Sequence, residues 1–450
     1  MPHRRSCGRL WWSWDMSEWH QVSLADISNQ RKGINYKSED YCAEDSGHPF
    51  ITIKCFVKGG GYQPKGIKYF HGHFTQQDTL QPSDILFSVT DLTRAGDIVG
   101  SPLKVPYFGK DKFALASMDC MRIMPFPSIC DSTFLYHRMM LSDIRRQMVA
   151  YSAGSTVLHL DTKQVPRMKI NIPKELAEQN RIASILVTAD QAIELTEALI
   201  EKYQQIKAGL MHDLFTRGVS ADGKLRPTRE QAPELYQETP IGWIPKEWQY
   251  DLLDKLADRR SGHTPNRNHP EYWDGGIKWI SLADSRRLDS LYIDETDFEI
   301  SQQGITNSSA VLLPDGVVVM SRDAGVGKSA ITQGTMAVSQ HFMAWVCGEK
   351  MDNHFLYYWL QFNKRNFENI AMGSTIVTIG LPFFKRLKIA CPNELAEQNI
   401  IGLRLKTIDG YLFSLKADGN KLKYQKQGLM HDLLTGKVPV TLDNDEAHAE

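Results

Sequence analysis

A block near the middle of this 450-residue chain is repeated near its end. Glu-Leu-Ala-Glu-Gln-Asn at 175–180 returns at 394–399, and Gly-Leu-Met-His-Asp-Leu at 209–214 returns at 428–433. Gly-Ser-Thr at 154–156 returns at 373–375, and all three pairs share one offset of 219 positions. Weaker matches at offset 229 reach the start of each half, where Glu18, Trp19 and Gly33 correspond to Glu247, Trp248 and Gly262. The chain is therefore a tandem duplication.

The repeated block has the heptad spacing of a coiled-coil helix. In the second copy the two apolar rows are Ile401, Ile408, Leu415, Leu422 and Leu429, and Leu405, Leu412 and Leu433. In the first copy they are Ile182, Ala189, Thr196, Tyr203 and Leu210, and Leu186, Ile193, Ile200 and Leu214. We expect Pro173 and Pro392 in the first helical turns, and stops at Gly218 and Gly436. Two helices of roughly 60 Å each, both following a domain, are expected to pack antiparallel.

The segments before each helix predict two mixed α/β domains. Short β-type runs occur at 50–53, 84–87, 277–280 and 316–320, separated by turn-forming residues. The four prolines between Gly218 and Pro245 indicate a linker. The fold class is therefore α/β (mixed α+β), with two domains separated by two long antiparallel coiled-coil helices in a pseudo-two-fold internal repeat. The expected segments are an extension 1–15, domains 16–170 and 246–390, helices 171–218 and 391–437, a linker 219–245 and a tail 438–450.

Composition narrows the functional classes only a little. The sequence has no apolar run long enough for a membrane span and no secretory signal pattern at its start. Its seven cysteines form no Cys-x-x-Cys pair, so we expect reduced thiols, no metal site and a cytoplasmic (prokaryotic) location. The net charge of −1 argues against a uniformly basic nucleic-acid binder but permits local basic clefts.

Polar identity at both ends of the repeated helices suggests a partner. A coiled-coil seam requires apolar rows only, whereas recent duplication is the alternative explanation for polar matches. In an antiparallel pair, two equivalent end patches are expected to dock two copies of one partner. The candidate docking residues are Glu178, Gln179, Asn180, His212, Asp213, Glu397, Gln398, Asn399, His431 and Asp432.

These features together resemble the specificity subunit of Type I restriction-modification enzymes. The resemblance is carried by the paired domains and helices, by Gly-Trp-Ile-Pro-Lys-Glu-Trp at 242–248, and by Gly-His-Thr-Pro at 262–265, Trp-Ile-Ser at 279–281 and Gly-Val-Gly-Lys at 325–328. It covers nearly all of 16–440. It implies a non-catalytic subunit whose two target recognition domains each read half of a split double-stranded DNA sequence. The helices would set the gap and dock two methyltransferase subunits, with restriction (translocase-nuclease) subunits joining later.

The resemblance also implies that S-adenosylmethionine, ATP and Mg belong to partner subunits, with no cofactor in this chain. Basic and polar loop residues are the candidate DNA contacts, because Arg can grip guanine edges while Lys more often takes phosphate. They are Arg31, Lys32, Lys54, Lys58, Lys65, Lys68, Arg94, Thr264, Arg267, Ser281, Arg286, Arg287, Arg322, Lys328 and Ser374. The hydroxyls of the two Gly-Ser-Thr motifs could take phosphate or cap a turn. The first domain has Gly-Ile-Asn-Tyr at 33–36 in place of Gly-x-Thr-Pro.

Other motifs give weaker hypotheses. The Gly325 loop lacks the first glycine of a phosphate loop, since Arg322 stands there, so it is either a loop beside DNA backbone or a plain hairpin turn. His71 and His73 have no third ligand at metal spacing. The alternatives are a stand-alone sequence-specific DNA-binding protein without methyltransferase partners and, in another class, an NTP-dependent enzyme.

Overall fold

The computed structural model describes residues 18–93, 95–110, 112–373 and 377–441. It divides into two compact units, one ending at Leu195 and resuming at Gly419, the other spanning Thr196–Asp418. The extension 1–15 and most of the expected tail, together with Arg94, Ser374 and Thr375, lie outside the described residues. Within the described residues no helix combines the length and apolar character needed to cross a membrane.

The strands of the first half are β1 Trp19–Ser23, β2 Ser28–Lys32, β3 His48–Ile51, β4 Lys68–Phe70, β5 Ile85–Ser88, β6 Thr90–Asp91, β7 Pro102–Lys104, β8 Leu115–Ala116, β9 Cys120–Pro125, β10 Ser152–Ala153, β11 Leu158–Leu160 and β12 Lys169–Pro173. Those of the second half are β13 Tyr236–Thr239, β14 Gly242–Pro245, β15 Trp248–Leu252, β16 Ala257–Ser261, β17 Trp273–Ile280, β18 Tyr292–Ile293, β19 Phe298–Ile300, β20 Val318–Ser321, β21 Ser329–Thr332, β22 Ala337–Val338, β23 Phe342–Cys347 and β24 Lys388–Pro392.

The helices are α1 Leu24–Ile27, α2 Ser132–Met139, α3 Ser142–Ala150, α4 Leu176–Thr216, α5 Gln302–Thr306, α6 Asn353–Phe362, α7 Lys364–Ile370, α8 Leu381–Phe384 and α9 Leu395–Leu433. The strand expected at 50–53 lies two residues earlier, at His48–Ile51, because residues from Ile53 form a 3-10 turn. The aromatic run 355–359 lies in α6 and is buried there.

The two units share one sheet topology although their sequences differ. In the first, the central sheet has the order β2-β9-β5-β7, and a smaller sheet has the order β4-β3-β8. In the second, the orders are β16-β23-β20-β21-β18 and β19-β17-β22. Strand β3 pairs in parallel with β8, and β17 pairs in parallel with β22. Strands β2, β9, β5 and β7 thus correspond to β16, β23, β20 and β21, and β18 is an additional strand of the second unit.

The long helices α4 and α9 begin and end close to the expected positions, with 41 and 39 residues. The expectation for Pro173 and Pro392 was wrong. Both prolines end strands, β12 and β24, where they pair with Trp19 and Trp248. Gly218 and Gly436 follow the helices with φ of 63° and 71°, the left-handed conformation that favours glycine after a helix.

Each unit contains a helix pair running antiparallel. In the first unit, the start of α4 lies beside the end of α9, and buried Ile182 and Leu433 share one core with Phe134 of α2. In the second, the end of α4 lies beside the start of α9, and buried Leu214 and Ile401 share a core with Phe355, Trp345 and their neighbours. The predicted heptad rows are buried or half-buried throughout, apart from Leu429. The predicted fold class, with its antiparallel coiled-coil helices and internal repeat, is confirmed.

Candidate nucleic-acid interface

Several of the predicted DNA-binding residues lie together at one edge of each domain. We call it the loop edge. In the second unit it consists of the segments that follow β16, β17 and β20 and precede β21 and β23, namely 262–264, 281–289, 322–328 and 339–341. In the first unit it consists of 33–35, 52–54, 89–93 with 95–101, and 117–119. Backbone hydrogen bonds tie these segments together, for example from Ser339 to the carbonyl of Ile280 at 2.8 Å.

In the second unit the predicted arginines meet acidic partners of their own chain. Arg286 donates two hydrogen bonds to Asp297, at 2.7 and 2.5 Å, and Arg287 donates a third at 2.8 Å. The ammonium of Lys328 donates to the carbonyl of Ser285 at 3.1 Å, which brings the 322–328 loop against the 281–289 turn. Ser281 is buried and caps that turn through Ala283. The three cations thus lie close together, with much of their hydrogen-bonding capacity satisfied internally.

A chain of polar contacts crosses the same edge. Thr264 donates to the side-chain oxygen of Gln340 at 2.5 Å, and the amide of Gln340 donates to His341 at 3.3 Å. The other ring nitrogen of His341 donates to Asp323 at 2.7 Å. Asp323 also accepts from Thr378 and lies 3.5 Å from Arg322. This chain holds the 262–264, 339–341 and 322–328 segments in a fixed relation to one another.

Asp323 remains ionised in this network. Burial raises the pKa of its carboxyl, but hydrogen bonds from Thr378 and His341, together with the charge of Arg322, outweigh burial and leave the pKa below its usual value. The 322–328 loop itself is a connection between β20 and β21, with φ of 115° at Gly325 and 83° at Gly327. It is followed by the strand β21, whereas a phosphate loop opens a long helix.

The first unit has a comparable edge with fewer arginines. Arg31 donates to Asp78 and to Gln77, both at 2.7 Å, and Lys58 lies 2.6 Å from Asp97. Lys32, Lys54, Lys65 and Lys68 are exposed on the segments that flank this edge. Asp91 is fully buried and accepts backbone N–H groups of Thr93 and Val99 at 2.7 and 2.9 Å, which shapes the segments 89–93 and 95–101. The predicted contacts Arg94 and Ser374 lie outside the described residues.

Arg267 is the predicted contact that the structure separates from the others. It is exposed and stacks over the ring of Trp273 with 5.5 Å between the guanidinium carbon and the ring centroid. Trp273 begins β17, whereas the loop edge lies at the end of that strand. Asp274 and Phe298 line the same shallow cleft. Arg267 therefore marks a second basic position away from the loop edge.

The repeated glutamines at the helix starts are structural. Gln179 is fully buried; its amide donates to the carbonyls of Pro173 at 2.9 Å and Ile129 at 3.1 Å, and its oxygen accepts from the N–H of Asp131 at 2.9 Å. Gln398 makes the same three bonds in the second unit, to Pro392, Lys350 and Asp352, at 2.9, 3.2 and 2.9 Å. Their identity has an intramolecular cause, so we omit both from the docking surface.

Glu397 is also used within its own unit. Its carboxylate accepts from Arg226, from the ring N–H of Trp248 at 3.0 Å and from the N–H of Val219 at 3.0 Å. Arg226 is buried, and it ties the segment after α4 to the start of α9. Glu178, the matching residue, is buried as well. Among the predicted docking residues, those that remain exposed are Asn180, His212, Asn399 and His431, with Asp213 and Asp432 half-buried.

Matching ion pairs cross the helix pair in both units. Lys207 donates to Asp409 at 2.6 Å in the second unit, and Lys426 contacts Asp190 in the first. Asp409 and Lys426 follow Asp190 and Lys207 by the same 219 positions that separate the repeats. Tyr358 of α6 donates to Asp409 at 2.8 Å, and His137 of α2 lies 3.5 Å from Asp190. Charged partners at single seam positions are a known means of fixing helix register.

Among the described residues no group of three His, Cys, Asp or Glu side chains is arranged to hold a metal ion. The sequence did not single out Asp323, Gln340 or His341, nor their counterparts in the first unit. The sequence match of Gly33 with Gly262 could have pointed to this region, because it aligns the segments that follow β2 and β16. The turns before β9 and β23 could be aligned only through strand pairing.

Comparisons with known proteins give one consistent result. The family model described as the Type I restriction modification DNA specificity domain matches residues 16–205 and 245–423. The MjaVIII specificity subunit of Methanocaldococcus jannaschii, a Type I restriction enzyme component, is 23% identical over 94% of this chain and 93% of its own length. The HindI specificity subunit of Haemophilus influenzae is 20% identical over 94% of this chain and 100% of its own.

Two solved structures share the fold. One is the S subunit of a Type I restriction-modification system from M. genitalium, with a TM-score of 0.58, 14% identity, and coverage of 93% of this chain and 96% of that one. The other comes from work on complex assembly and conformational transition of the Type I system, with a TM-score of 0.53, 15% identity, and coverage of 93% and 98%.

Proposed function

Because the chain belongs to the family of Type I restriction modification DNA specificity domains, we propose that it is the non-catalytic subunit that reads a bipartite double-stranded DNA target for a restriction-modification complex. Each domain reads one half of the target through its loop edge. The long helices dock two methyltransferase subunits and set the gap between the half-sites. S-adenosylmethionine, ATP and Mg are then held by partner subunits, and the complex works in the cytoplasm beside the DNA.

The observation that carries this proposal is the equivalence of the two loop edges. Two domains with one topology present the same set of segments, but the side chains on those segments differ. The described segments of the first unit carry one basic side chain, Lys54, whereas those of the second carry Arg286, Arg287, Arg322 and Lys328. A protein that reads two different half-sites needs one scaffold twice and two different sets of contacts.

The charge balance of the loop edge suits a protein that binds specifically. The net charge of the whole chain is −1, so long-range attraction to phosphate is weak. Arg286, Arg287 and Arg31 are already paired with Asp297 or Asp78, and DNA must compete with these carboxylates for them. Their exposed faces remain available to phosphate, while exposed lysines such as Lys32 and Lys54 provide further positive charge.

For docking, the exposed repeated residues support two equivalent patches. Asn180 and His431 belong to the first unit, and Asn399 and His212 to the second. Each pair joins the start of one long helix with the end of the other, and the same residue types occur in both. Two equal patches fit two copies of one partner. Restriction subunits would then join through the methyltransferases.

The experiment is to bind the chain, assembled with its methyltransferase subunits, to a DNA library with randomised sequence. The proposal predicts enrichment of two short half-sites separated by a fixed stretch of unspecified bases, and the chain alone should show no methyl transfer, ATP hydrolysis or DNA cleavage. A stand-alone DNA-binding protein would instead select its site without methyltransferase subunits and would form no stable complex with them.

A further inference from the structure

We infer that one two-residue turn in each domain carries base-reading side chains. The turns are 118–119, between β8 and β9, and 340–341, between β22 and β23, and we call them the reading turns. The neighbouring position, Asn35 in the first domain and Thr264 in the second, contributes with them. This inference rests on the proposed function and assigns its specificity to particular residues.

The strand register makes the two reading turns equivalent. Ala116 of β8 pairs with Ile51, and Val338 of β22 pairs with Ile280 at the corresponding place. Two positions beyond the turns, Met121 pairs with Lys32, and Met343 pairs with Ser261. The number of residues between these paired positions is the same in both domains. Met118 therefore corresponds to Gln340, and Asp119 to His341.

Each reading turn projects from a buried frame. Ser117 and Cys120 on either side of the first turn are fully buried, as are Ser339 and Phe342 around the second. Met118 is 37% exposed, a large fraction for an apolar side chain, and Gln340 is exposed. The frame therefore fixes the backbone of the turn and directs these two side chains outward, as required of a contact with the groove of DNA.

In each domain a glycine lies very close to the backbone that precedes the reading turn. This brings the neighbouring position, Asn35 or Thr264, beside the turn. A Cβ on Gly33 would lie 2.2 Å from the carbonyl oxygen of Ser117, and a Cβ on Gly262 would lie 1.8 Å from that of Val338. Such distances are impossible for a side chain, so only glycine lets the segment after β2 or β16 pass this close. Asn35 and Thr264 follow two residues later, and Thr264 contacts Gln340 directly.

The second residue of each turn forms a hydrogen bond with a residue at an equivalent position of its domain. The turn residue accepts this bond in the first domain and donates it in the second. In the first domain, Thr90 donates to Asp119 at 2.9 Å. In the second, His341 donates to Asp323 at 2.7 Å. Thr90 and Asp323 are equivalent, because each accepts at its carbonyl from a serine two residues earlier, at 2.5 Å in both domains. The hydrogen bond thus lies at the same place in both domains, although donor and acceptor are exchanged. It orients Asp119 in the first domain and His341 in the second.

Several residues that support the turns are identical in the two domains, whereas the outward-facing residues differ. Gly33 and Gly262, Ser117 and Ser339, and Ser88 and Ser321 are identical in the two domains and hold the loop edge together. The outward positions differ at every place: Asn or Thr, Met or Gln, Asp or His. Two half-sites of different sequence require differences at the positions that read bases and none in the frame.

The residue types suit base edges. Gln can bond adenine in a bidentate manner, Asp can accept from cytosine, and Met offers apolar contact to the thymine methyl group. One ring nitrogen of His341 is used by Asp323, and the other lies 3.3 Å from the amide nitrogen of the exposed Gln340.

The test replaces residues of the second reading turn with those found at the equivalent positions of the first. The variant Asp323→Thr/Gln340→Met/His341→Asp includes the supporting position, because an Asp at 341 would otherwise face the carboxylate of Asp323. The single variant Gln340→Met removes the contacts of one exposed side chain with Thr264 and His341 and keeps the buried Ser339 and Phe342 on either side of the turn. The control is Gln333→Met, an exposed glutamine beyond the end of β21, at the opposite edge of the same sheet. All are assembled with methyltransferase subunits and bound to DNA libraries with either half-site randomised.

We expect both turn variants to change base preference by about ten- to a hundredfold at one or two positions of the second half-site. The first half-site should be read as before, and Gln333→Met should behave as the wild type. Unchanged preference in the Gln340→Met complex and in the triple variant would overturn the inference. A wild-type complex that selects no two-part site would instead contradict the proposed function, so the two failures are distinguishable.

Discussion

The side-chain oxygen of Gln179 accepts a hydrogen bond from the backbone N–H of Asp131 at 2.9 Å. Asp131 in turn caps α2, because its carboxylate accepts from the N–H of Phe134 at 2.7 Å. One glutamine thus joins the start of α4 to the cap of α2. Gln398, Asp352 and Phe355 repeat the arrangement in the second unit.

Replacing Gln179 with Met should destabilise the first unit by about 1–3 kcal/mol, because three buried backbone groups lose their partner while side-chain length is kept. Hydrogen exchange measured along the chain should show faster opening at the start of α4. Gln398→Met is the matched variant and should open the start of α9 instead. Equal opening of both units by either variant would refute this local role.

The structure gives His137 a pH-dependent effect on stability. Burial, helped by the positive charges of Lys426 and Lys104, lowers the pKa of His137 from 6.5 to about 3. Its 3.5 Å approach to Asp190 is therefore a contact of a neutral ring rather than an ion pair. Between pH 6.5 and 3 the unfolded chain binds a proton that the folded chain does not, so stability falls as the pH is lowered through this window.

Tyr358 of α6 lies at the position that corresponds to His137 of α2. Tyrosine is therefore a suitable replacement that removes the basic ring. His137→Tyr should reduce the stability lost between pH 7.5 and 5.5 by about 1.4 kcal/mol, since one proton is no longer taken up on unfolding. Denaturant unfolding of the first unit at the two pH values measures this difference. If the variant and the wild type lose the same stability on acidification, His137 does not titrate as described.

The sequence predicted the long helices well, because heptad rows report a local periodicity that the packed helices keep. It misplaced Pro173 and Pro392, because pairing with Trp19 and Trp248 extends the preceding strands up to the prolines. Because the paired residues are far apart in the chain, the pairing leaves no pattern in the sequence around either proline.

The candidate interface was harder to predict. Basic residues of the loops could be found from composition, and several of them lie at the loop edge. Their partners, such as Asp297 for Arg286, become visible only in the structure. The repeated glutamines were interpreted as docking residues because their polar identity was visible and their burial was not.

Docking should depend on the exposed repeated residues. The double variant Asn180→Ala/His431→Ala changes the first unit only, and we expect it to leave one methyltransferase bound instead of two. Asn399→Ala/His212→Ala is the corresponding variant of the second unit, and combining all four changes should remove both copies. Native mass spectrometry of the assembled complex counts the subunits. Retention of two copies by the fourfold variant would show that docking lies elsewhere.

We propose that one chain reads two half-sites and that its long helices set the gap between them. An insertion of four residues after Lys202 lengthens α4 by about 6 Å, which corresponds to nearly two base pairs at about 3.4 Å each. The insertion also shifts the heptad phase, so we expect the gap to change by one or two base pairs.

The measurement is the pattern of methylated adenines in genomic DNA, obtained by long-read sequencing from cells that carry the wild-type chain, the insertion variant or neither. We predict methylation of one bipartite sequence with the wild type, none of it without the chain, and the same two half-sites at an altered gap with the insertion. Full methylation at an unchanged gap in the insertion variant, or methylation of the same sites without the chain, would contradict the account.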